Sequence, residues 1–293
     1  MRDKTAGLLQ IHVAVLLFGL AGLFGKFLSL PPFAIVLGRT FFASLTLGLV
    51  LFFASHSPRV RSKNDLLIFF LLGGVLALHW TSFFLAIQIS TVAVGLVTFS
   101  TFPVFVTFME PYFFRERFSL FDLFTAALVL FGVVLVIPSF DFADHVTQGA
   151  LWGTLSGFTF AVLSLLNRKY VRTYSSLAVA FYQNLFATLI LLPFLSTGWP
   201  SLSARDFLLL AFLGLFCTAL AHGLFIKSLG HIRAQLASIT ACLEPVYGVL
   251  FAFLLLGEKP SARTVLGGLV ILGTSALASA RQKARIMDGP RNG

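Results

Sequence analysis

Apolar positions in this chain neither alternate with a period of two nor form the narrow stripes of a surface helix. They run on for about twenty residues at a time, the length of helix that crosses a bilayer core of about 30 Å. Ten such runs predict ten helices, near residues 8–28, 33–54, 66–87, 91–113, 119–138, 148–168, 175–195, 206–229, 232–256 and 262–280. The third and fourth are separated only by the polar break QIST, the eighth and ninth only by GHI. Every connection is short, which leaves no room for a separate soluble domain. The first run is longer than a signal-peptide core and lacks a small-x-small cleavage site, so it reads as a retained helix. The expected fold class is an all-α membrane protein with ten transmembrane helices.

Composition agrees. Of the 293 residues, 58% are hydrophobic and 11% charged, and the mean hydropathy is +0.94. A soluble domain carries about 25% charged residues; this chain has too few to clothe a water-facing surface. The net charge of +10 suggests nucleic acid only until the basic residues are placed. With the N-terminus inside, 16 of the 21 Lys and Arg fall in cytoplasmic segments, among them Arg2, Arg59, Arg115, Arg168, Arg233 and Arg281. The outer segments hold Arg205, Lys259 and Arg263. Such an excess is the signature of cytoplasmic loops. Both termini are expected in the cytoplasm, with the bilayer rather than nucleic acid as partner.

The chain also resembles itself. STFPVFVTFMEPYFFRERFS in the first half lies over ACLEPVYGVLFAFLLLGEKPS in the second, pairing Pro103 with Pro245, Glu116 with Glu258 and Ser119 with Ser261 at an offset of 142. With one inserted residue allowed, Gly132 pairs with Gly273. The repeats are residues 1–140, spans one to five, and 141–293, spans six to ten with a short basic tail. Five is odd, so the second copy must cross the membrane in the opposite sense. Two inverted five-helix repeats are an architecture of secondary transporters, whose sites lie near the midplane where the halves meet.

Several segments give the resemblance a name. They are GRTFFASL in the second run, ALHWTSFFLAIQISTVAVGLVTFSTFPVF across the third and fourth, EPYFFRERFS after them, and SLGHIRAQLASITACLEPVYGVLFAFLLLGEKPSARTVLGGLVILG near the end. In order, duplication and spacing the chain resembles the ten-span EamA-type branch of the drug/metabolite transporter superfamily. The resemblance implies alternating-access movement of a small polar metabolite, such as export of an amino acid or a relative, across the inner membrane, with or without protons, by a monomer or homodimer. Uptake of a larger solute such as a nucleotide derivative is the alternative within transport; a lipid-facing scramblase or enzyme is the alternative outside it. No G-x-S-x-G, H-E-x-x-H or Walker-type loop occurs, so no enzyme is expected and no cofactor. Cys217 and Cys242 lie in apolar runs without CxxC spacing, and no metal site is expected from them.

Ionisable groups inside a membrane cost about 2.5–3.5 kcal/mol each on insertion scales and are functional hypotheses by default. Glu244 falls near the middle of its run, where a carboxyl can exchange a proton or meet a substrate amine. Its repeat partner is Phe102, so it breaks the symmetry. Arg39 lies inside the second run, a partner for a substrate carboxylate or an anchor for a helix carbonyl. Lys26 is near the end of the first and can snorkel to the surface. His79 and Trp80 are mid-run in the third, and His222 in the eighth aligns with Trp80. Thr98, Thr101, Tyr182 and Gln183 complete the substrate or coupling candidates. Pro103 and Pro245 are expected as matched kinks. Glu110 and Lys227, near cytoplasmic ends, are gate candidates. Gly149, Gly153, Gly157 and Ala161, four apart, form a small-residue stripe for close helix contact.

Overall fold

The computed structural model of the chain describes residues 2–53, 60–114, 120–137, 141–171, 173–197, 202–228, 240–241 and 243–287. Among them there is helix and no strand. The first half contains α1 (Arg2–Gly22), α2 (Phe24–Phe27), α3 (Pro32–Phe53), α4 (Lys63–Ile89), α5 (Val92–Phe99), α6 (Phe102–Phe114) and α7 (Leu120–Val136). The second contains α8 (His145–Tyr170), α9 (Ser176–Leu191) with a 3₁₀ turn over Leu192–Thr197, and α10 (Ala204–Gly214). A π-helical segment, Leu215–Leu220, leads into α11 (Ala221–Ser228). After the gap come α12 (Glu244–Leu256) and α13 (Ala262–Met287).

Seven of these helical stretches are long and apolar enough to cross a membrane; Leu123–Val136, Glu244–Leu256 and Ala262–Thr274 are shorter apolar helices. The three shorter ones stand where the fifth, ninth and tenth runs were expected. Much of the first half of the ninth run, 232–239, and the GHI break before it lie outside the described residues. Large apolar side chains such as Phe52, Phe53, Leu120 and Leu254 are exposed, as a lipid-facing surface requires.

Helix ends follow local chemistry. Ser62, Thr91, Asp144, Ser175 and Ser203 each accept a hydrogen bond from the N–H of the residue three further on, which satisfies one of the donors that a helix N-terminus leaves open. The expected kinks at the prolines take a different form. The fourth run is broken at Ser100–Thr101 and α6 begins at Phe102, so Pro103 is its second residue. Pro245 is likewise the second residue of α12. There its missing N–H costs nothing and its fixed φ favours the new helix. Each proline lies in the first turn of a new helix instead of bending a continuous one.

The packing exchanges the two halves. Helix α4 packs on α8 and α9; the α10–α11 stretch packs on α1 and α3. Likewise α5 packs on α8 as α12 does on α1, while α5 meets α12 and α7 meets α13. The detail repeats: a Cβ at Gly73 would lie 2.8 Å from Ala187 N beside Phe186, and one at Gly214 would lie 3.2 Å from Ala43 N beside Phe42. This aligns RTFFAS, residues 39–44, with QNLFAT, residues 183–188, and makes Gln183 the counterpart of Arg39. The α8 glycines meet α4, α5 and the turn after α5: a Cβ at Gly157 would stand 2.7 Å from Phe99 O.

The turn between α4 and α5 is held from both halves. Lys26 Nζ donates to Ser90 O at 2.8 Å and lies 3.4 Å from Gln88 O. Glu258 Oε2 accepts from Val92 N at 3.0 Å. A cation thus meets a helix C-terminus and an anion the next helix N-terminus, the pairing that helix dipoles favour.

Candidate functional site

Where the half-helices begin, the two repeats enclose a cavity with about 380 Å³ of empty space counted to its mouth. Its polar lining is Arg39 from α3, His79 and Trp80 from α4, His222 from α11 and Glu244 at the start of α12. Its apolar lining is Phe18, Ala21, Phe83, Phe99 and Phe160, from α1, α4, α5 and α8.

Arg39 is 2% exposed. Its Cζ lies 3.7 Å from the centroid of the Trp80 ring and 5.5 Å from that of Phe84. Cation–π contacts of this kind contribute about 2 kcal/mol or more when water is excluded. Arg39 Nε donates to Thr218 Oγ1 at 3.1 Å, and that hydroxyl donates to Leu213 O at 2.8 Å. Glu244 is 8% exposed, and no described residue donates a hydrogen bond to its carboxylate. It and Arg39 attract each other electrostatically without closing to an ion pair. A cation and an anion therefore border one cavity, each with unused hydrogen-bonding capacity.

The histidines differ. His79 Nδ1 lies 3.0 Å from Ser156 O and 2.9 Å from Ser156 Oγ, and the same hydroxyl lies 3.1 Å from His79 O. This ties α4 to α8 and occupies one ring nitrogen. His222 packs its ring 5.5 Å from Trp80 and 5.7 Å from Phe18, and its buried Nδ1 has no partner among the described residues. His222 therefore has a buried ring nitrogen to offer, and His79 keeps only the nitrogen away from Ser156.

The other candidates are placed elsewhere. Thr98 and Thr101 are buried, with hydroxyls donating to Val94 O at 2.7 Å and Thr98 O at 2.9 Å; they pack against the glycines of α8 and do not line the cavity. Tyr182 stacks on Phe69, ring centroids 5.2 Å apart. Gln183 is fully buried and donates to Asn167 Oδ1, and its own Oε1 has no partner among the described residues. Lys227 is exposed near the end of α11. The Glu110 side chain lies outside the described residues. Lys26, for which snorkelling was expected, instead caps the end of α4.

Sequence reasoning missed the phenylalanine walls, Thr218 and the π segment. Nothing marks four lining residues among 35 phenylalanines. The π segment does leave a trace: Gly73 to Trp80 is seven positions, and the equivalent Gly214 to His222 is eight.

Several comparisons bear on this arrangement. The EamA-like transporter family matches the chain twice, over residues 5–137 and 147–280. The uncharacterized inner membrane transporter YicL of Salmonella typhimurium is 28% identical over 97% of this chain and 99% of its own length. An S-adenosylmethionine uptake transporter of Rickettsia conorii is 25% identical over 84% of this chain and 82% of its own. A chain of known crystal structure covers 98% of this one and 99% of itself with a TM-score of 0.68 at 17% identity, which speaks to the fold alone. Two helical repeats closing on a buried polar cavity define a multi-pass membrane transporter. The chain belongs to the EamA-like transporter family.

Proposed function

We propose that the chain is a secondary transporter that exports a small zwitterionic metabolite, an amino acid or a close relative, across the inner membrane by alternating access. Residues 1–140 and 141–293 are its two repeats, of five spans each and opposite orientation, with both termini in the cytoplasm. The observation that carries this reading is Arg39 and Glu244 facing one aromatic-walled cavity, unpaired with each other. A carboxylate suits the guanidinium, which presents a planar fork of donors. An ammonium suits Glu244, and a proton replaces it when the cargo is absent. His222 is a further polar contact. The half-helix starts at Phe102 and Glu244 supply the irregular backbone that such sites use.

The test is efflux from proteoliposomes loaded with an equimolar mixture of the twenty common amino acids, with and without a pH gradient. Hydrogen bonds to a charged group contribute about 1.5–3 kcal/mol, so Arg39→Gln should weaken half-saturation roughly 10- to 150-fold. Glu244→Gln should abolish the response to the pH gradient. Unchanged transport and unchanged pH response in Glu244→Gln would sink the coupling role.

A second reading is uptake of a nucleotide-derived sulfonium. It is supported by the S-adenosylmethionine transporters of Rickettsia conorii and Rickettsia felis among the relatives, and by a carboxylate beside aromatic rings, which attracts organic cations. Uptake of S-adenosylmethionine by the same proteoliposomes, with amino acids failing to compete, would favour it.

A further inference from the structure

We propose that Thr218 is a positioning residue for Arg39, turned toward it by one residue that the second repeat carries and the first lacks. The inference rests on the reading of Arg39 as the group that takes the cargo's carboxylate.

Gly73 and Gly214 are equivalent because each admits a Phe-Ala pair from the opposite repeat. Trp80 and His222 are equivalent seven and eight positions later. In the first repeat that interval is regular α-helix, part of α4. In the second it is the π segment Leu215–Leu220, where one wide turn takes up the extra residue. Side chains beyond such a turn are rotated by about 100° relative to an uninterrupted α-helix. The wide turn also frees Leu213 O to accept from the hydroxyl of Thr218, five residues on, at 2.8 Å.

That bond has a consequence for Arg39. The hydroxyl proton of Thr218 is committed to Leu213 O, so the oxygen can only accept toward the cavity. It accepts from Arg39 Nε at 3.1 Å. Trp80, with the Arg39 Cζ 3.7 Å from its ring centroid, holds one face of the guanidinium; Thr218 holds its Nε edge. The remaining N–H groups of Arg39 have no partner among the described residues. They are the pair that forms a two-pronged contact with a carboxylate. The first repeat has no equivalent arrangement, because Gln183 stands where Arg39 stands in the second span. The insertion thus serves Arg39, the one Lys or Arg among the described residues that line the cavity.

The experiment uses Trp80 as its reporter. The chain has three tryptophans, and replacing Trp152 and Trp199 by Phe leaves Trp80 alone. The purified full chain in detergent gives an emission spectrum set by the guanidinium on the indole face, and Arg39→Gln defines the spectrum without it. Thr218→Val should shift emission toward the Arg39→Gln value, and Thr218→Ser should restore it. In proteoliposomes given the equimolar amino-acid mixture, Thr218→Val should raise half-saturation about tenfold with maximal rate within about twofold, again rescued by Ser. A parental Trp80 spectrum in Thr218→Val, or a Ser variant as altered as Val, would overturn the positioning role. A shifted spectrum with unchanged half-saturation would leave Thr218 holding Arg39 and overturn the carboxylate reading of Arg39 instead.

Discussion

Gly19 of α1 touches the first turn of α12, and adding one methyl group there tests the whole account of how the cavity is held. A Cβ at Gly19 would lie 2.9 Å from Tyr247 Cβ, 3.0 Å from Glu244 O and 3.0 Å from Gly248 N. Two of these atoms are backbone and the third is anchored to it, so no side-chain rotation relieves the clash. Overpacking of this kind costs about 1–3 kcal/mol. Against it stands the gain of about 0.8–1 kcal/mol from replacing Gly by Ala in a helix. The control is Gly223 of α11, where a Cβ would meet nothing within 4 Å among the described residues, so that the helix gain applies. Gly19→Ala should therefore be neutral to about 2 kcal/mol less stable than the parent, and Gly223→Ala up to about 1 kcal/mol more stable. Thermal unfolding of purified protein in one detergent would order the three. Because the displaced backbone carries Glu244, Gly19→Ala should also impair transport more than its stability alone explains. Equal melting temperatures and equal transport in the two variants would refute the packing of α1 on α12 described here.

Other consequences are smaller and local. Ser156→Ala should cost about 1 kcal/mol and loosen α4 against α8, seen as faster hydrogen exchange around His79; unchanged exchange would count against the bridge. Lys26→Met removes the cation from the end of α4, a contribution of about 0.3–1 kcal/mol. It should raise labelling of a cysteine placed at Ser90, whereas Lys26→Arg should not. Backbone N–H bonding from Thr147 holds the Asp144 carboxyl below its ordinary pKa of 3.8. A depressed carboxylate stabilises the fold above its unfolded pKa and loses that contribution as pH falls through the folded value. The melting temperature of Asp144→Ala should thus lie below the parent at pH 7 and converge with it as the pH falls through the folded value, and a gap that persisted in stronger acid would contradict the cap.

Long apolar runs, their polar breaks and the repeat were legible because each is a property of many residues at once. Membrane-embedded charge was legible residue by residue: Arg39 and Glu244 stand out from an oily background and do meet at the cavity, with His79, Trp80 and His222. Thr98 and Thr101 drew attention for the same reason, but a hydroxyl can bond to a nearby backbone carbonyl, and both do. Tyr182 and Gln183 were misplaced because periodicity does not tell which side of a doubly buried helix faces the cavity. The prolines were read as kinks and stand at helix starts, since the residue alone does not distinguish a bend from a fresh N-terminus. The π segment was visible only as a spacing difference of one, which acquires meaning once Gly73 and Gly214 are seen in equivalent packing.

The mismatch between scaffold and charge has a thermodynamic corollary. In the inverted arrangement proposed, two identical halves would make the outward-facing and inward-facing forms mirror each other in energy, and an empty carrier would divide its time evenly between them. Here glycines, prolines and aromatic knobs repeat, but Arg39 answers to Gln183, Glu244 to Phe102, and the inserted residue to nothing. In that arrangement these departures would lift the degeneracy. On the proposed reading, the resting form of the empty carrier would be set by polar groups at its centre, and a cargo that neutralises them would reset the bias in the act of binding.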